Sequence, residues 1–322
     1  YNPEFYTTYL KNLNENRSIQ LLQNIRENIL NQDKFFLVSD GETKRENSIF
    51  YHCRYLIGID FNKLQHKMIR NSKYKILVPS ITKKISIKKN YVVNDYNLIK
   101  LFSKNNNIKV SIPGPNILMD TLINDFYDNK DLEKDLIKII NKQFLLVEKE
   151  GCEYLQIDDN ILPEITDINI KNIKNILACF KNISPNTYKI LNICRDINYS
   201  NIIRKKNDTN YDGLLQMLNN TVIDAVCINY EDIENNLEVL LKFKNKDIII
   251  GLLKTDNNDI EKINEIKKNI INILKYVNIG NLILSPNSCA GRLDKNIYNE
   301  KVENLKIAIS QLNIAIKLKC TD

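Results

Sequence analysis

The chain has 322 residues, 43% of them hydrophobic and 26% charged, which is enough apolar material to build a buried core. Its formal net charge of +7 comes from 46 Lys and Arg against 39 Asp and Glu, and the two signs alternate instead of forming the basic clusters typical of nucleic-acid-binding proteins. No apolar run approaches the roughly 20 residues of a membrane span, and the 7 cysteines show no regular spacing. We therefore expect a cytoplasmic protein without nucleic-acid or membrane partners.

Short β-branched runs alternate along the chain with longer amphipathic patterns, which is typical of βα units around a parallel sheet. The predicted strands are Phe35–Ser39, Ile108–Ile112, Glu153–Ile157, Lys189–Ile193, Ile223–Ile228, Asp247–Leu252 and Asn281–Leu284. The predicted helices are Asp131–Glu148, Ile168–Phe180, Asp232–Phe243, Asp259–Tyr276 and Val302–Lys317. An open dinucleotide-binding sheet is less favoured because no GxGxxG motif is present. Residues 1–322 are therefore predicted to form one α/β domain, a TIM (β/α)8 barrel.

Two further short runs interrupt this alternation. Tyr74–Val78 and Ile85–Ile87 are predicted as a two-stranded excursion between barrel elements, with the basic stretch KKISIKK at 83–89 as a solvated hairpin.

Polar residues follow the predicted strands, where the reactive groups of a parallel barrel collect. Glu42 lies in SDGETKREN, Asp158 and Asp159 lie in QIDDN, and these carboxylates could bind a substrate ammonium group. Cys194 in NICRD and Cys289 in SPNSC could converge on one soft metal ion. Each residue also has a structural interpretation, because aspartates cap helices and turns and cysteines fill cores.

The order of these motifs resembles the cobalamin-independent methionine synthase family, in its single-barrel, catalytic-domain form. The similar segments are SDGETKRENSIFYH, IPGPN, EKEGCEYLQIDDNILPE, NICRD and LILSPNSCAGR, and the resemblance covers about residues 35–315. It implies a TIM barrel in which zinc binds the thiol of homocysteine, which accepts a methyl group from a folate-type donor. Zinc lowers the pKa of a bound thiol and so keeps a thiolate available at neutral pH. By this resemblance Glu42 and Asp158 hold the amino-acid part of the substrate, Asp159 orients or supports them, and Cys194 and Cys289 bind the metal.

The chain departs from the family pattern at the metal ligands. Asn192 stands where the family has a ligand histidine, and Asn229 stands where it has a ligand glutamate. Without a gap, the last cysteine position falls on Ser288, and a shift of one residue brings Cys289 into it. Zinc sites in proteins normally use three or four good ligands, so these changes should weaken zinc binding. The family's opening strand, which ends in Gly-Ser-Phe-Pro, has no counterpart in the residues before Phe35, so we expect that the first barrel strand either lies upstream of Tyr1 or has been replaced.

Two functional hypotheses remain from this pattern. The first is a zinc-dependent thiol methyltransferase of methionine biosynthesis, and the second is a homologue that has lost the metal and binds a ligand or acts without it. The general acid stays unassigned, because GLLKTD offers both Lys254 and Asp256. His52 and His66 are predicted to be structural or surface residues and not ligands.

Overall fold

The structure, a computed structural model, describes residues 15–32, 35–43, 45–70, 74–165, 170–195, 210–288, 293–314 and 316–318. The helices within these ranges are α1 (Glu15–Gln32), α2 (Phe50–Cys53), α3 (Tyr91–Phe102), α4 (Pro115–Thr121), α5 (Asn129–Lys149), α6 (Ile170–Cys179), α7 (Tyr211–Leu218), α8 (Tyr230–Ile233), α9 (Ile263–Ile273) and α10 (Lys295–Gln311). The strands are β1 (Leu56–Ile69), β2 (Tyr74–Ile87), β3 (Lys109–Pro113), β4 (Ile123–Asn124), β5 (Tyr154–Asp158), β6 (Tyr188–Asn192), β7 (Ala225–Asn229), β8 (Asp247–Leu253), β9 (Leu282–Pro286) and β10 (Lys317–Leu318). No helix in these ranges is long and apolar enough to cross a membrane.

The main sheet is parallel and contains seven strands in the order β10-β9-β8-β7-β6-β5-β3. Its strands are apolar on both faces, as in sheets that are covered on both sides. Ile190, Cys227 and Ile249 pack together on the inner face, whereas the alternate residues Leu191 and Val226 pack in the cluster that contains the helices. This two-sided burial explains why continuous β-branched runs predicted β3 and the strands from β5 to β9 within a few residues of their bounds. The α/β fold of TIM-barrel type is therefore confirmed.

The region predicted as the first strand, Phe35–Ser39, forms an isolated parallel bridge between Val38 and Ile108 instead of a regular strand. Its backbone nevertheless contacts both edge strands of the sheet. The Lys109 amide donates to the Val38 carbonyl at 2.8 Å, and the Phe36 amide donates to the Leu318 carbonyl at 2.7 Å. Backbone hydrogen bonds thus run from β9 through β10 and residues 36–38 to β3. Residues 317–318 thus lie between β9 and residues 36–38 in this series of backbone contacts.

The predicted two-stranded excursion is wrong in its pairing. Tyr74–Val78 and Ile85–Ile87 belong to the single strand β2, which pairs antiparallel with β1. The residues between them stay extended because Ser80 and Ile81 pair with Asp60 and Ile59 of β1. KKISIKK therefore lies mostly within one strand and is not a hairpin of its own. Strand β4 pairs with β2 and completes a second, three-stranded sheet.

Three predicted helices have different bounds, for local reasons. The pattern Asp232–Phe243 is interrupted because Asn236 is non-helical, with φ −150° and ψ 59°, so α8 is followed by a separate 3-10 turn at Leu237–Lys242. The pattern Asp259–Tyr276 contains the shorter helix α9, since Lys262 is extended. Helix α10 begins before Val302 because the Asp294 side chain caps it by accepting from the Asn296 amide at 2.8 Å.

Candidate functional site

The carboxyl ends of the parallel strands lie side by side, as expected for the mouth of a barrel. The last residues of β5 and β6, Asp158 and Asn192, are direct partners in the strand register. Asn229 of β7 is the register partner of Gly251 in β8, which in turn pairs with Ser285 of β9. The structure therefore brings the polar ends of five consecutive strands to one edge of the sheet. Cys227 lies one inward-facing position below Asn229, in the inner apolar cluster against which the partly buried Cys194 packs.

Asp158 is partly buried at this edge, and two side-chain amides fix its carboxylate. Gln156 Nε2 donates to Asp158 Oδ1 at 2.6 Å, and Asn192 Nδ2 donates to the same oxygen at 2.9 Å. The Asn192 oxygen in turn accepts from the backbone amide of Cys194 at 3.0 Å. The sequence alone did not indicate the role of Gln156, although a polar residue in the middle of an apolar strand is the signal that could have found it.

Glu42 lies in a turn and is held by Arg45. Arg45 Nη1 donates to Glu42 Oε1 at 2.9 Å, while Nη2 of the same guanidinium donates to Asp40 Oδ1 at 3.0 Å. Glu42 has a backbone φ of +52°, which is uncommon for a residue other than glycine. One guanidinium therefore contacts the carboxylates of both Asp40 and Glu42. No feature of the sequence around Arg45 predicts this role.

His52 is buried beside Arg45, whereas His66 is exposed on β1. The His52 Nε2 atom lies 3.3 Å from Arg45 Nη1, and its Nδ1 atom lies 2.7 Å from the Tyr91 hydroxyl. A guanidinium can only donate, so Nε2 must be the acceptor and the ring carries its proton on Nδ1. These contacts give His52 a structural position, in agreement with the interpretation from sequence.

Asp159 is fully buried and binds the start of α4. Its Oδ2 atom accepts from the backbone and side-chain nitrogens of Asn116 at 3.0 and 2.9 Å, and its Oδ1 atom accepts from the Ile117 amide at 2.9 Å. Burial raises the pKa of Asp159 to about 7, and the three hydrogen bonds oppose this rise only in part. The geometry gives Asp159 a helix-capping position behind Asp158, while its assignment to substrate binding stays a prediction.

The raised pKa of Asp159 predicts a pH-dependent contribution to stability. Between about pH 4 and pH 7 the folded protein holds a proton on Asp159 that the unfolded chain has released, so the free energy of unfolding falls as pH rises. Asp159→Asn cannot titrate, and its stability relative to the wild type should therefore improve by about 4 kcal/mol across this range. Urea unfolding of both proteins at pH 4, 5.5 and 7 measures the change. A constant difference between them would show that the carboxyl titrates alike in both states.

Arg195 and Asp232 form a buried ion pair beside Cys194. Two guanidinium nitrogens of Arg195 donate to Asp232 Oδ1, with the Nε contact at 2.9 Å, and the Tyr211 hydroxyl donates to Asp232 Oδ2 at 2.9 Å. Burial, followed by the charge of Asp232, raises the pKa of Tyr211 well above 10, so Tyr211 remains a neutral donor. The Arg195 backbone carbonyl also accepts from Asn229 Nδ2 at 3.3 Å. Arg195 is thus bound directly to β7 and α8, and Asp232 links it to Tyr211 of α7.

The two candidates for a general acid differ in their surroundings. Lys254 Nζ lies 3.5 Å from Glu231 Oε1, and the Lys254 backbone amide donates to Glu261 at 2.7 Å. Asp256 is exposed. Neither arrangement singles out an acid for the reaction.

Of the two predicted metal residues, Cys289 lies outside the described residues, so its convergence with Cys194 stays a prediction. Among the residues that are described, no group of three or more His, Cys, Asp or Glu side chains could hold a metal ion. The Asn192 amide is engaged by Asp158 and by the Cys194 backbone. The buried Asn229 Oδ1 has no hydrogen-bond partner in the described part of the chain, but an amide oxygen is a poor zinc ligand. These donors do not fit the zinc site that the resemblance implies.

The chain is similar to known proteins in sequence and in fold. Residues 10–310 match the family described as "Cobalamin-independent synthase, Catalytic domain". A methionine synthase from Thermococcus kodakarensis is 25% identical over 236 residues, which cover 69% of this chain but only 62% of that protein. A methionine synthase from Sulfolobus acidocaldarius is 23% identical over 268 residues, 83% of this chain and 74% of that protein. A B12-independent methionine synthase from Shewanella sp. W3-18-1, solved in complex with selenomethionine, has a TM-score of 0.84 at 20% identity, with 94% of this chain and 90% of that chain covered.

Proposed function

Because the chain belongs to the cobalamin-independent methionine synthase catalytic-domain family, we propose that it transfers a methyl group to the sulfur of a small thiol amino acid. Homocysteine is the first candidate for the acceptor, and a folate-type compound is the donor that the resemblance implies. This activity would place the protein in methionine biosynthesis. The solved Shewanella relative holds selenomethionine, an amino acid of the same shape as the expected product.

The observation that carries this proposal is the fixed carboxylate of Asp158 at the end of β5. It lies next to Asn192, which also contacts the backbone amide of Cys194. Two amides hold its Oδ1 atom, so the carboxylate has a defined direction before a substrate arrives. A charge-assisted hydrogen bond to an ammonium group is stronger when its acceptor is already oriented. Glu42 supplies a second carboxylate, which is held by Arg45. In the proposed complex these two residues bind the ammonium group.

Zinc would supply a thiolate at neutral pH if it were bound. Since the described donors do not fit a zinc site, no step of the proposed function depends on the metal. The residues themselves would bind the amino acid, orient its thiol beside Cys194 and hold that region through Arg195 and Asp232. The contribution of Cys194 and Cys289 to metal binding is a separate proposal that metal analysis can decide.

The proposed function is tested by binding and turnover in the same preparation. We expect homocysteine to bind in a calorimetric titration, and methionine to form when a methylated folate is added. The zinc content of the purified protein, measured by elemental analysis, and the effect of added zinc on turnover report on the metal. Cys194→Ser is the matched variant: loss of turnover with retained homocysteine binding would assign Cys194 to the reaction. Absence of both homocysteine binding and methionine formation, with and without zinc, would contradict the proposal.

A further inference from the structure

A buried lysine begins a line of hydrogen bonds that ends at the proposed substrate carboxylate. Lys109 opens β3, and only 1% of its surface is exposed. Its Nζ atom donates to Gln156 Oε1 at 3.1 Å, and Gln156 Nε2 donates to Asp158 Oδ1 at 2.6 Å. The ammonium group of Lys109 is thereby linked to the mouth of the barrel through one side-chain amide.

This line has a fixed direction. A lysine ammonium group can only donate and an ionised carboxylate can only accept, so an amide between them must place its oxygen toward Lys109 and its NH₂ group toward Asp158. Asn192 approaches Asp158 with the same polarity, because its oxygen accepts from the Cys194 backbone and its NH₂ group donates to Asp158. Lys109 and Asp158 therefore favour the same orientation of the Gln156 amide, and the charge of Lys109 strengthens the hydrogen bond that the amide donates to Asp158.

The burial of Lys109 indicates a role beyond packing. Taking an ammonium group out of water is costly, and buried ionic groups are often replaceable by apolar residues of similar size without loss of stability. An apolar residue at this position would fill the space but would remove the charge that polarises the Gln156 amide, and so would weaken the hydrogen bond that Gln156 Nε2 donates to Asp158.

We propose that Lys109 is a positioning residue that acts through Gln156 to orient Asp158 toward the ammonium group of an amino-acid substrate. This inference rests on the proposed function and adds a determinant of substrate choice to it. It predicts that Lys109 matters for ligands that carry an α-ammonium group and not for the same ligands without it.

The test compares homocysteine with 4-mercaptobutyrate, which has the same thiol and carboxylate but lacks the amino group. We expect the wild type to bind homocysteine more tightly, and Lys109→Met to reduce this preference about 10-fold while binding of 4-mercaptobutyrate changes little. Lys301→Met is the matched control, since Lys301 is also fully buried but belongs to helix α10 and pairs with Glu261 at 3.1 Å. It should leave the preference unchanged.

Each outcome decides between the proposals. If the wild type binds neither ligand, or binds both equally well, the proposed function fails. If the wild type prefers homocysteine and Lys109→Met keeps that preference, only the proposed role of Lys109 fails. Equal weakening of both ligands would indicate a merely structural role for Lys109 and would also overturn the inference. If Lys109→Met does not fold, the double variant Lys109→Met/Gln156→Met carries the test, because replacing both partners of a hydrogen bond with apolar groups is far less costly than replacing one.

Discussion

Replacing Gly114 with alanine is expected to destabilise the protein by about 4 kcal/mol, among the largest effects of a single substitution. A Cβ atom at Gly114 would lie 2.2 Å from Asp159 Oδ2 and 2.6 Å from Asp159 Cβ. The carboxylate cannot swing away without leaving the Asn116 and Ile117 amides that it caps. The loss thus combines overpacking with the disruption of a buried, hydrogen-bonded acid. Urea unfolding monitored by circular dichroism measures the change.

Gly280→Ala is the matched control, because no atom lies within 4 Å of the Cβ that it adds. We expect its free energy of unfolding to stay within about 0.5 kcal/mol of the wild type. In the background Asp159→Gly, the cost of Gly114→Ala should shrink, since the three atoms that it meets all belong to the Asp159 side chain. A cost that stays the same in this background would show that the clash with Asp159 is not its cause.

Asp158→Asn is expected to weaken homocysteine binding about 100-fold. The substitution preserves the shape of the side chain but removes the negative charge opposite the ammonium group, and removal of one partner from a desolvated charge pair typically costs about 2–5 kcal/mol. The new NH₂ group would also face the donors of Gln156 and Asn192 if it turned toward them. Calorimetric titration of wild type and variant at the same pH measures the loss.

Asp256→Asn serves as the charge-matched control, because Asp256 follows the end of β8 but is exposed. Its effect on homocysteine affinity should be less than about 2-fold, the range of a solvent-screened charge. Similar losses for the two variants would mean that general electrostatic attraction at the mouth, and not a contact with Asp158, drives binding.

The strands were predictable because their burial is two-sided. The runs around Ile190, Val226 and Ile249 are continuously apolar, and such runs have few alternatives to a covered parallel sheet. Strand β1 was missed because its sequence, LIGIDFNKLQHKMI, mixes exposed polar and half-buried apolar residues without a strict alternation. It is extended because β2 pairs with it, and pairing between strands is not written in either strand alone.

The candidate site was predictable in its location but not in its connections. The polar strand ends pointed to Asp158 and Glu42, and the register of β5 and β6 places Asp158 beside Asn192. The roles of Arg45, Gln156 and Lys109 depend on hydrogen bonds between elements distant in sequence, such as the 47 residues that separate Lys109 from Gln156. A lysine at the start of an otherwise buried strand was the available signal. The capping contact of Asp159 was among the alternatives that its sequence position left open.

The link between residues 36–38 and residues 317–318 has a consequence for how the protein forms during translation. The ribosome completes residues 317–318 long after residues 36–38 have emerged. The edges formed by β9 and by residues 36–38 therefore stay unpaired until most of the chain has been synthesised. Contacts between such distant residues form slowly. During that interval the unpaired edges can associate with other nascent chains.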